Sequence, residues 1–486
     1  MEHLDVLIVG AGLSGIGAAY RIQTQSPHRT YAVLEARDDL GGTWDLFRYP
    51  GIRSDSDMFT LGFPFHPWTA AKAIADGPDI LEYLHETAST YGIDKHIRFG
   101  RRVVRASWSS TEALWTVETA EESYTCKFFY TCSGYYNYDS GYVVDFPGLD
   151  DFAGQVVHPQ HWPTDLDYSG KRVVVIGSGA TAVTLVPAMA PDAAHVTLLQ
   201  RSPSYIASRP ARSAFSDQLR AVLPEQLAHH LIRAKNVAFS TLVYNAFRRW
   251  PKRAARLLTT MVAKQLPESV PMDPHFLPRY DPWDQRLCLV PDGDLFVALR
   301  DGSASIVTDE VETFIPTGLR LKSGQELEAD LVVTATGLRV VALGNIELTV
   351  DGQRVDPGER FVYKGMMLSG IPNLAWCVGY TNNSWTLRSD LTSKYVCRLL
   401  NHLERTGLDI CVAEIDPAEY DAPRRPVIDL SSGYIRRGAA ILPRQGPNGP
   451  WRLRQNYPRD LLSLRYGRLT DGALQFKPAY ATKSAA

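Results

Sequence analysis

The sequence predicts an α/β protein with two Rossmann-like dinucleotide-binding domains in one chain and a helical insertion in the second. Three observations carry that prediction. The chain has 486 residues, too many for one hydrophobic core at roughly 150 residues per domain. Two glycine-rich turns, beginning at Gly10 and Gly177, each follow a β-like apolar run and open a helical pattern. Residues 211–265 then break the strand–helix rhythm and read as helices alone.

Composition narrows the class. Apolar residues make up 45%, charged 21% and aromatic 10%, an ordinary globular profile that excludes disorder, collagen-like repeats and a disulfide scaffold. The 51 basic and 53 acidic residues leave a formal charge of −2, which argues against a nucleic-acid partner and a uniformly basic membrane binder. Cysteines at 126, 132, 288, 377, 397 and 411 form no CxxC pair and no Cys/His ligand spacing. The expectation is no metal site and free thiols in a reducing cytosol. No run of 18 apolar residues offers a membrane span. The N-terminus shows no cationic leader, so a cytoplasmic location is expected.

The first unit opens with the strand-like Val6–Val9, the turn GAGLSG (10–15) and the helical pattern Ile16–Ile22. A second strand, 31–34, ends at Glu35, twenty residues beyond Gly15. Gly10 makes the tight turn, Gly12 admits a pyrophosphate and Gly15 lets helix pack on strand. The helix N-terminus stabilises the phosphates and Glu35 accepts from a ribose hydroxyl. The second copy begins 167 residues later, with the strand 173–176, the turn GSGATA (177–182) and the strand 195–199. Where the first copy has Glu35, this one has Gln200 and Arg201. An acid there repels a 2′-phosphate, whereas a guanidinium pairs with it. The first site is therefore expected to take an ADP-ribose-like moiety without that phosphate, as in FAD, and the second NADP(H). A nicotinamide facing a flavin is the pairing that makes chemical sense. Disulfide reductases share the layout but need a redox cysteine pair, and Cys126 and Cys132 have five residues between them.

Further segments narrow the chemistry. GGTWDLFRYPGIRSDSDM (41–58) follows the first unit, and FAGQVVHPQHWP (152–163) lies between the two turns. The latter is FxGxxxHxxxWP in full, carried by Phe152, Gly154, His158 and Trp162. With CSGYYNYD (132–139), PWDQRLCLVP (282–291) and YKGMMLSGIPN (363–373), it makes the chain resemble the Baeyer–Villiger monooxygenases, class B flavoproteins, and within them the mycobacterial ethionamide-activating subgroup. The resemblance runs from about residue 5 to about 460.

That resemblance implies an NADPH- and O2-dependent enzyme converting apolar ketones to esters or lactones through a C4a-peroxyflavin. S-oxygenation of sulfides or thioamides by the same intermediate is the alternative. From other classes, an uncoupled NADPH oxidase or flavin reductase, or a redox-sensing nucleotide binder, shares the two turns. Arg286 matches the family's active-site arginine and Asp55 the acid that orients it. A structural ion pair with Asp284 is the bland reading of Arg286. FAD contacts are implied for Gly10, Gly12, Ser14, Gly15, Glu35, Thr43, Trp44, Asp45, Leu46, Asp55 and Val103. NADP contacts are implied for Arg53, Ser54, Asp55, Gly177, Ser178, Gly179, Ala180, Thr181, Ala182, Gln200, Arg201 and Trp451. Trp451 resembles a tryptophan that folds over the nicotinamide nucleotide, the alternative being a core aromatic. His158 is expected to position domains rather than make bonds.

The first domain is expected to be discontinuous, 1–140 and 370–486, with the NADP domain at 150–365 and its insertion at 211–285. Helices are expected at His229–Phe239 and Phe247–Lys264. Residues 211–265 hold ten Lys/Arg against two Asp/Glu, a local net of +8. The bland reading is a roof over the substrate entrance; the sharper one is peripheral contact with an anionic membrane. The tail after Lys477 reads as disordered.

Overall fold

A computed structural model describes residues 1–421, 423 and 425–479; the expected disordered tail lies, beyond residue 479, outside the described residues. β1 (Glu2–Val9) is the spine of the first sheet. Val6, Leu7 and Ile8 are all fully buried, as expected for a parallel strand covered on both faces. The chain crosses through α1 (Leu13–Gln25) to the parallel β2 (Tyr31–Leu34). Three short helices follow: α2 (Thr43–Leu46), α3 (Met58–Leu61) and α4 (Gly77–Thr90). β3 (Ile97–Arg98) closes one edge beside β2. An antiparallel meander of β4 (Val103–Ser109), β5 (Leu114–Thr119) and β6 (Ser123–Thr131) returns to pair in parallel with β1.

The second sheet has five parallel strands: β7 (Gln155–Val157), β8 (Arg172–Ile176), β9 (His195–Gln200), Ala304–Thr308 and Leu331–Thr334. β8 is central, with β9 on one side and 331–334 on the other. α5 (Ala180–Met189) follows the second glycine turn. One boundary differs from the expectation. Glu347–Val350 pairs with β4, and Gln353–Val355 pairs with it in turn. The chain is thus back in the first sheet by residue 347, not 370. Leu348 and Val355 explain this, because they enter the core that holds Trp108 and Trp115.

The insertion folds as α6 (Ala214–Val222), α7 (Glu225–Arg249) and α8 (Pro251–Ala263). α7 runs unbroken through the first expected helix and into the start of the second, until Trp250, whose backbone is non-helical (φ −130°, ψ 62°). Pro251 causes the break, since it disfavours the α conformation in the residue before it and suits the first turn of the next helix. No helix among the described residues is long and apolar enough to cross a membrane. All six cysteines are free and buried.

Two connectors, 132–148 and 334–346, join the sheets and run antiparallel to each other. Asn137 N–H donates to the Arg339 carbonyl (2.8 Å), Val341 N–H to Tyr135 (3.0 Å) and Tyr142 N–H to Gly337 (3.0 Å).

Candidate functional site

A cleft of about 620 Å³ runs from the first glycine turn to the N-terminus of α5. At its first end, a Cβ on Gly15 would sit 1.8 Å from the Gly10 carbonyl oxygen, so only glycine fits. Gly10 has φ +98°, the region that favours glycine. Gly12 caps α1 with no side-chain hydrogen bond, leaving first-turn N–H groups for a phosphate. Glu35 is buried against the cleft, its carboxylate accepting from Ala11 N–H (2.7 Å) and Arg37 N–H (3.0 Å). Burial pushes its carboxyl up and those donors pull it back. This cradle fits a dinucleotide.

At the other end, a Cβ on Gly177 would come 2.5 Å from the Ala335 carbonyl oxygen, whereas one on Gly179 would meet open space. Gly179 caps α5, again with no side-chain bond. Ala180 and Thr181 line the cleft, with Gly177, Ser178 and Gly179 just outside its lining. Two expected NADP contacts, Ala182 and Gln200, have side chains turned into the protein. Ala182 is fully buried in the core of the second sheet. Gln200 points inward, its amide donating to the His275 carbonyl (2.7 Å) and Thr308 Oγ1 (3.0 Å). Arg201, the first residue beyond β9, is exposed.

Between the two ends lies the pair Arg286–Asp55, with Nη1 to Oδ2 at 3.2 Å. The Arg286 side chain is 33% exposed and lines the cleft. Its Nε is buried with no partner. The Tyr135 phenol and, after it, Asp55 push this guanidinium above its ordinary pKa despite burial. It is a fixed cation. Asp284 pairs instead with Arg248 (2.7 Å). The hydroxyls of Tyr135 and Tyr136 are 2.5 Å apart. Tyr135 stacks on Trp385 with centroids 5.3 Å apart, and Trp385 Nε1–H donates to Ser14 Oγ (2.8 Å). Burial pushes the Tyr136 phenol well up, so it stays neutral. A chain of contacts thus joins the first glycine turn to the arginine.

Of the other expected residues, Thr43, Trp44, Arg53, Ser54 and Val103 line the cleft. The Arg53 guanidinium also pairs with Asp294. Asp45 and Leu46 stand outside the lining. Asp45 holds Arg37 (2.6 Å) and Arg48 (2.7 Å), and Leu46 enters the second-sheet core. Trp451 takes the position of the core aromatic. It is buried in the first core, edge-on to Tyr363 at 5.5 Å, and is not in the cleft. Phe152 packs edge-on to Phe314 (5.7 Å), and a Cβ on Gly154 would hit the Phe152 ring at 2.4 Å. Trp162 packs at the edge of the second core. His158 Nδ1 accepts from Gln160 N–H (3.2 Å), so Nε2–H donates to the Gly337 carbonyl (3.3 Å). It grips a connector, not the cleft.

Sequence reasoning gave no role to Tyr49, Tyr135, Tyr136, Asn383 or Trp385, all of which line the cleft. Tyr49, in the quoted segment 41–58, and Tyr135 and Tyr136, in 132–139, carried a signal; Asn383 and Trp385 carried none.

Comparison with known proteins adds the following. Residues 53–269 match the flavin-binding monooxygenase-like family and residues 8–76 an NAD(P)-binding Rossmann-like domain. The FAD-containing monooxygenase EthA of Mycobacterium tuberculosis is 54% identical over 480 residues, 98% of each chain. The putative FAD-containing monooxygenase MymA of the same organism is 50% identical over 501 residues, 100% of each. The probable FAD-binding monooxygenase AlmA of Acinetobacter baylyi is 48% identical, covering 98% of this chain and 96% of its own. Among solved structures, an oxidised steroid monooxygenase bound to NADP has TM-score 0.77 at 22% identity, covering 98% of this chain and all of its own. A cyclohexanone monooxygenase with ε-caprolactone bound has TM-score 0.75 at 21% identity, with the same coverage. These two likenesses concern the fold.

Proposed function

The chain belongs to the FAD-containing monooxygenases, and from that premise we propose that it holds FAD at the first glycine turn and NADPH at the second, and uses O2 to convert an apolar ketone to an ester or lactone. One observation carries the reading: a single cleft spans both turns with the Arg286–Asp55 pair on its wall between them. Bound FAD, reduced by NADPH, supplies the activation of O2.

The chain's own residues supply position and charge. The first-turn N–H groups of α1 and α5 would receive the two pyrophosphates, and Glu35 would accept from a ribose hydroxyl. Exposed Arg201, at the end of the second unit's second strand, supports NADPH over NADH, because a guanidinium there could pair with a 2′-phosphate. Arg286 stabilises negative charge as it develops on the substrate's carbonyl oxygen. A fixed donor of this kind contributes about 3–4 kcal/mol in a water-poor site. Asp55 holds the guanidinium in one orientation, and Tyr135, Tyr136 and Trp385 exclude water around it.

The test is a panel of apolar ketones and sulfides given to the purified holoenzyme with NADPH under ¹⁸O2. Product mass is read together with oxygen uptake and peroxide. An ester carrying one ¹⁸O, formed as NADPH is consumed, is the expected result. A sulfoxide without any ester moves the reading to S-oxygenation. If no compound raises NADPH consumption above the peroxide-forming background, the substrate class is wrong.

A further inference from the structure

The helical insertion carries a face that the oxygenation reading leaves unused. α7 is 25 residues long, roughly 37 Å at 1.5 Å per residue. Its inner face is buried through Ala228, Ile232, Arg233 and Val237. The outer face of a surface helix is ordinarily polar. Here it is not. Leu227, Leu231 and Leu242, at helical spacing on one stripe, are exposed, Leu242 at 68%, with Phe239 flanking them. Val222 at the end of α6 is 75% exposed, Trp250 at the α7–α8 break 51%, and Leu257 on α8 53%. Single exposed apolar residues need no explanation, but a run of them on one unit marks an interaction surface.

Charge says what the partner is. Residues 211–265 carry a net +8 in a chain of net −2, leaving −10 on the remainder. Lys235 and Arg249 fall on the α7 stripe, and Lys252, Arg253, Arg256 and Lys264 are exposed along α8. Exposed leucines and an exposed tryptophan interleaved with cations match the anionic interface of a bilayer. A uniformly acidic protein would match the cations but not the leucines.

We infer that the α6–α8 unit docks peripherally on an anionic phospholipid surface. The apolar residues enter the headgroup–acyl boundary and the cations lie at phosphate level. The inner face of α7 packs on the cleft wall: Val237 clusters with Tyr380 and Leu387, and Ser240 Oγ donates to Asn383 Oδ1 (3.3 Å). Tyr380 and Asn383 line the cleft. One helix diameter, about 10 Å, therefore separates lipid from the site, and apolar substrates dissolved in the bilayer reach it without crossing bulk water. That last consequence rests on the proposed oxygenation; the docking does not.

The experiment is co-sedimentation of the holoenzyme with vesicles of phosphatidylcholine alone or mixed with phosphatidylglycerol. Binding to the anionic vesicles, weakening as salt rises, is expected, with about ten-fold weaker partition onto the neutral ones. The double variant Leu231→Gln, Leu242→Gln is expected to lose about ten-fold or more in partition while keeping its flavin spectrum and melting temperature. The variant Arg253→Gln, Arg256→Gln is expected to lose the salt-sensitive part. A holoenzyme that stays in the supernatant with anionic vesicles at low salt overturns the inference. So does a dimer that the leucine variant dissociates, in a protein with no vesicle affinity.

Discussion

Replacing Gly15 by alanine tests the first nucleotide site with a single methyl group. The added Cβ would stand 1.8 Å from the Gly10 carbonyl oxygen, and real Cβ contacts need at least about 3 Å, so something must move by more than 1 Å. The turn cannot recede. Gly10 N–H is bonded to the Leu34 carbonyl at 2.8 Å, and a Cβ on Gly10 itself would lie 2.7 Å from the Cys132 carbonyl oxygen. Helix α1 must therefore lift. It is packed on the helix Trp385–Thr406, and Gly17 leaves only 3.1 Å between a Cβ and the Phe63 ring. Overpacking of this kind costs about 1–3 kcal/mol. Lifting the helix also carries its first-turn N–H groups away from the phosphates. Two charge-assisted hydrogen bonds are worth about 3–6 kcal/mol together, or roughly 10²- to 10⁴-fold in flavin affinity. Flavin content per chain after purification, titration of the apoprotein with FAD, and the melting temperature are the readouts. Stoichiometric flavin in Gly15→Ala at an unchanged melting temperature would refute the reasoning.

Other expectations follow from particular residues. Arg286→Ala should lower ester formation about 10²- to 10³-fold while NADPH oxidation to peroxide persists, measured by product and peroxide assays on one sample. Arg201→Glu should raise KM for NADPH by about ten-fold or more and narrow the preference over NADH, read from steady-state kinetics with both. His229 is buried beside Arg233, and burial first, then that guanidinium, lowers its pKa to about 4. Below pH 6.5 the unfolded chain takes a proton that the folded chain refuses. Stability should therefore fall as pH drops from about 6.5 toward 4, by about 2 kcal/mol at pH 5. His229→Leu, which also removes an unpaired buried Nε2, should flatten melting temperature against pH over that range. Trp451→Phe should lower the melting temperature through lost core packing, with KM for NADPH unchanged; a raised KM would return this residue to the nucleotide site.

The fold class was legible because its signals are local. A glycine required by a Cβ clash must be glycine wherever it occurs, and the strand, turn and helix around it lie within thirty residues. The break at Trp250 was also written locally, in Pro251, but apolar spacing alone misplaced it. Facing was not legible. Gln200 and Arg201 are neighbours, yet only a structure says which turns inward. Ser14 and Trp385 meet across 371 positions, and no spacing rule links a serine in a phosphate turn to a tryptophan opening a distant helix. Trp451 shows the reverse case, where a likeness in sequence survived while the side chain had become core. Return of the chain to the first sheet at residue 347 depended on Leu348 finding a core built by distant strands.

The paired connectors set how the two domains can move. A single tether leaves three rotations free. Two segments bonded edge to edge from Tyr135 to Tyr142, with His158 clasping Gly337, form a flat ribbon that is stiffer within its plane than out of it. Bending of one domain against the other within the ribbon's plane is thereby opposed. Because Tyr135 and Tyr136 belong to the ribbon and also line the cleft with Arg286, swinging the second domain re-shapes the wall around the arginine. The hinge and the active wall are one piece of chain.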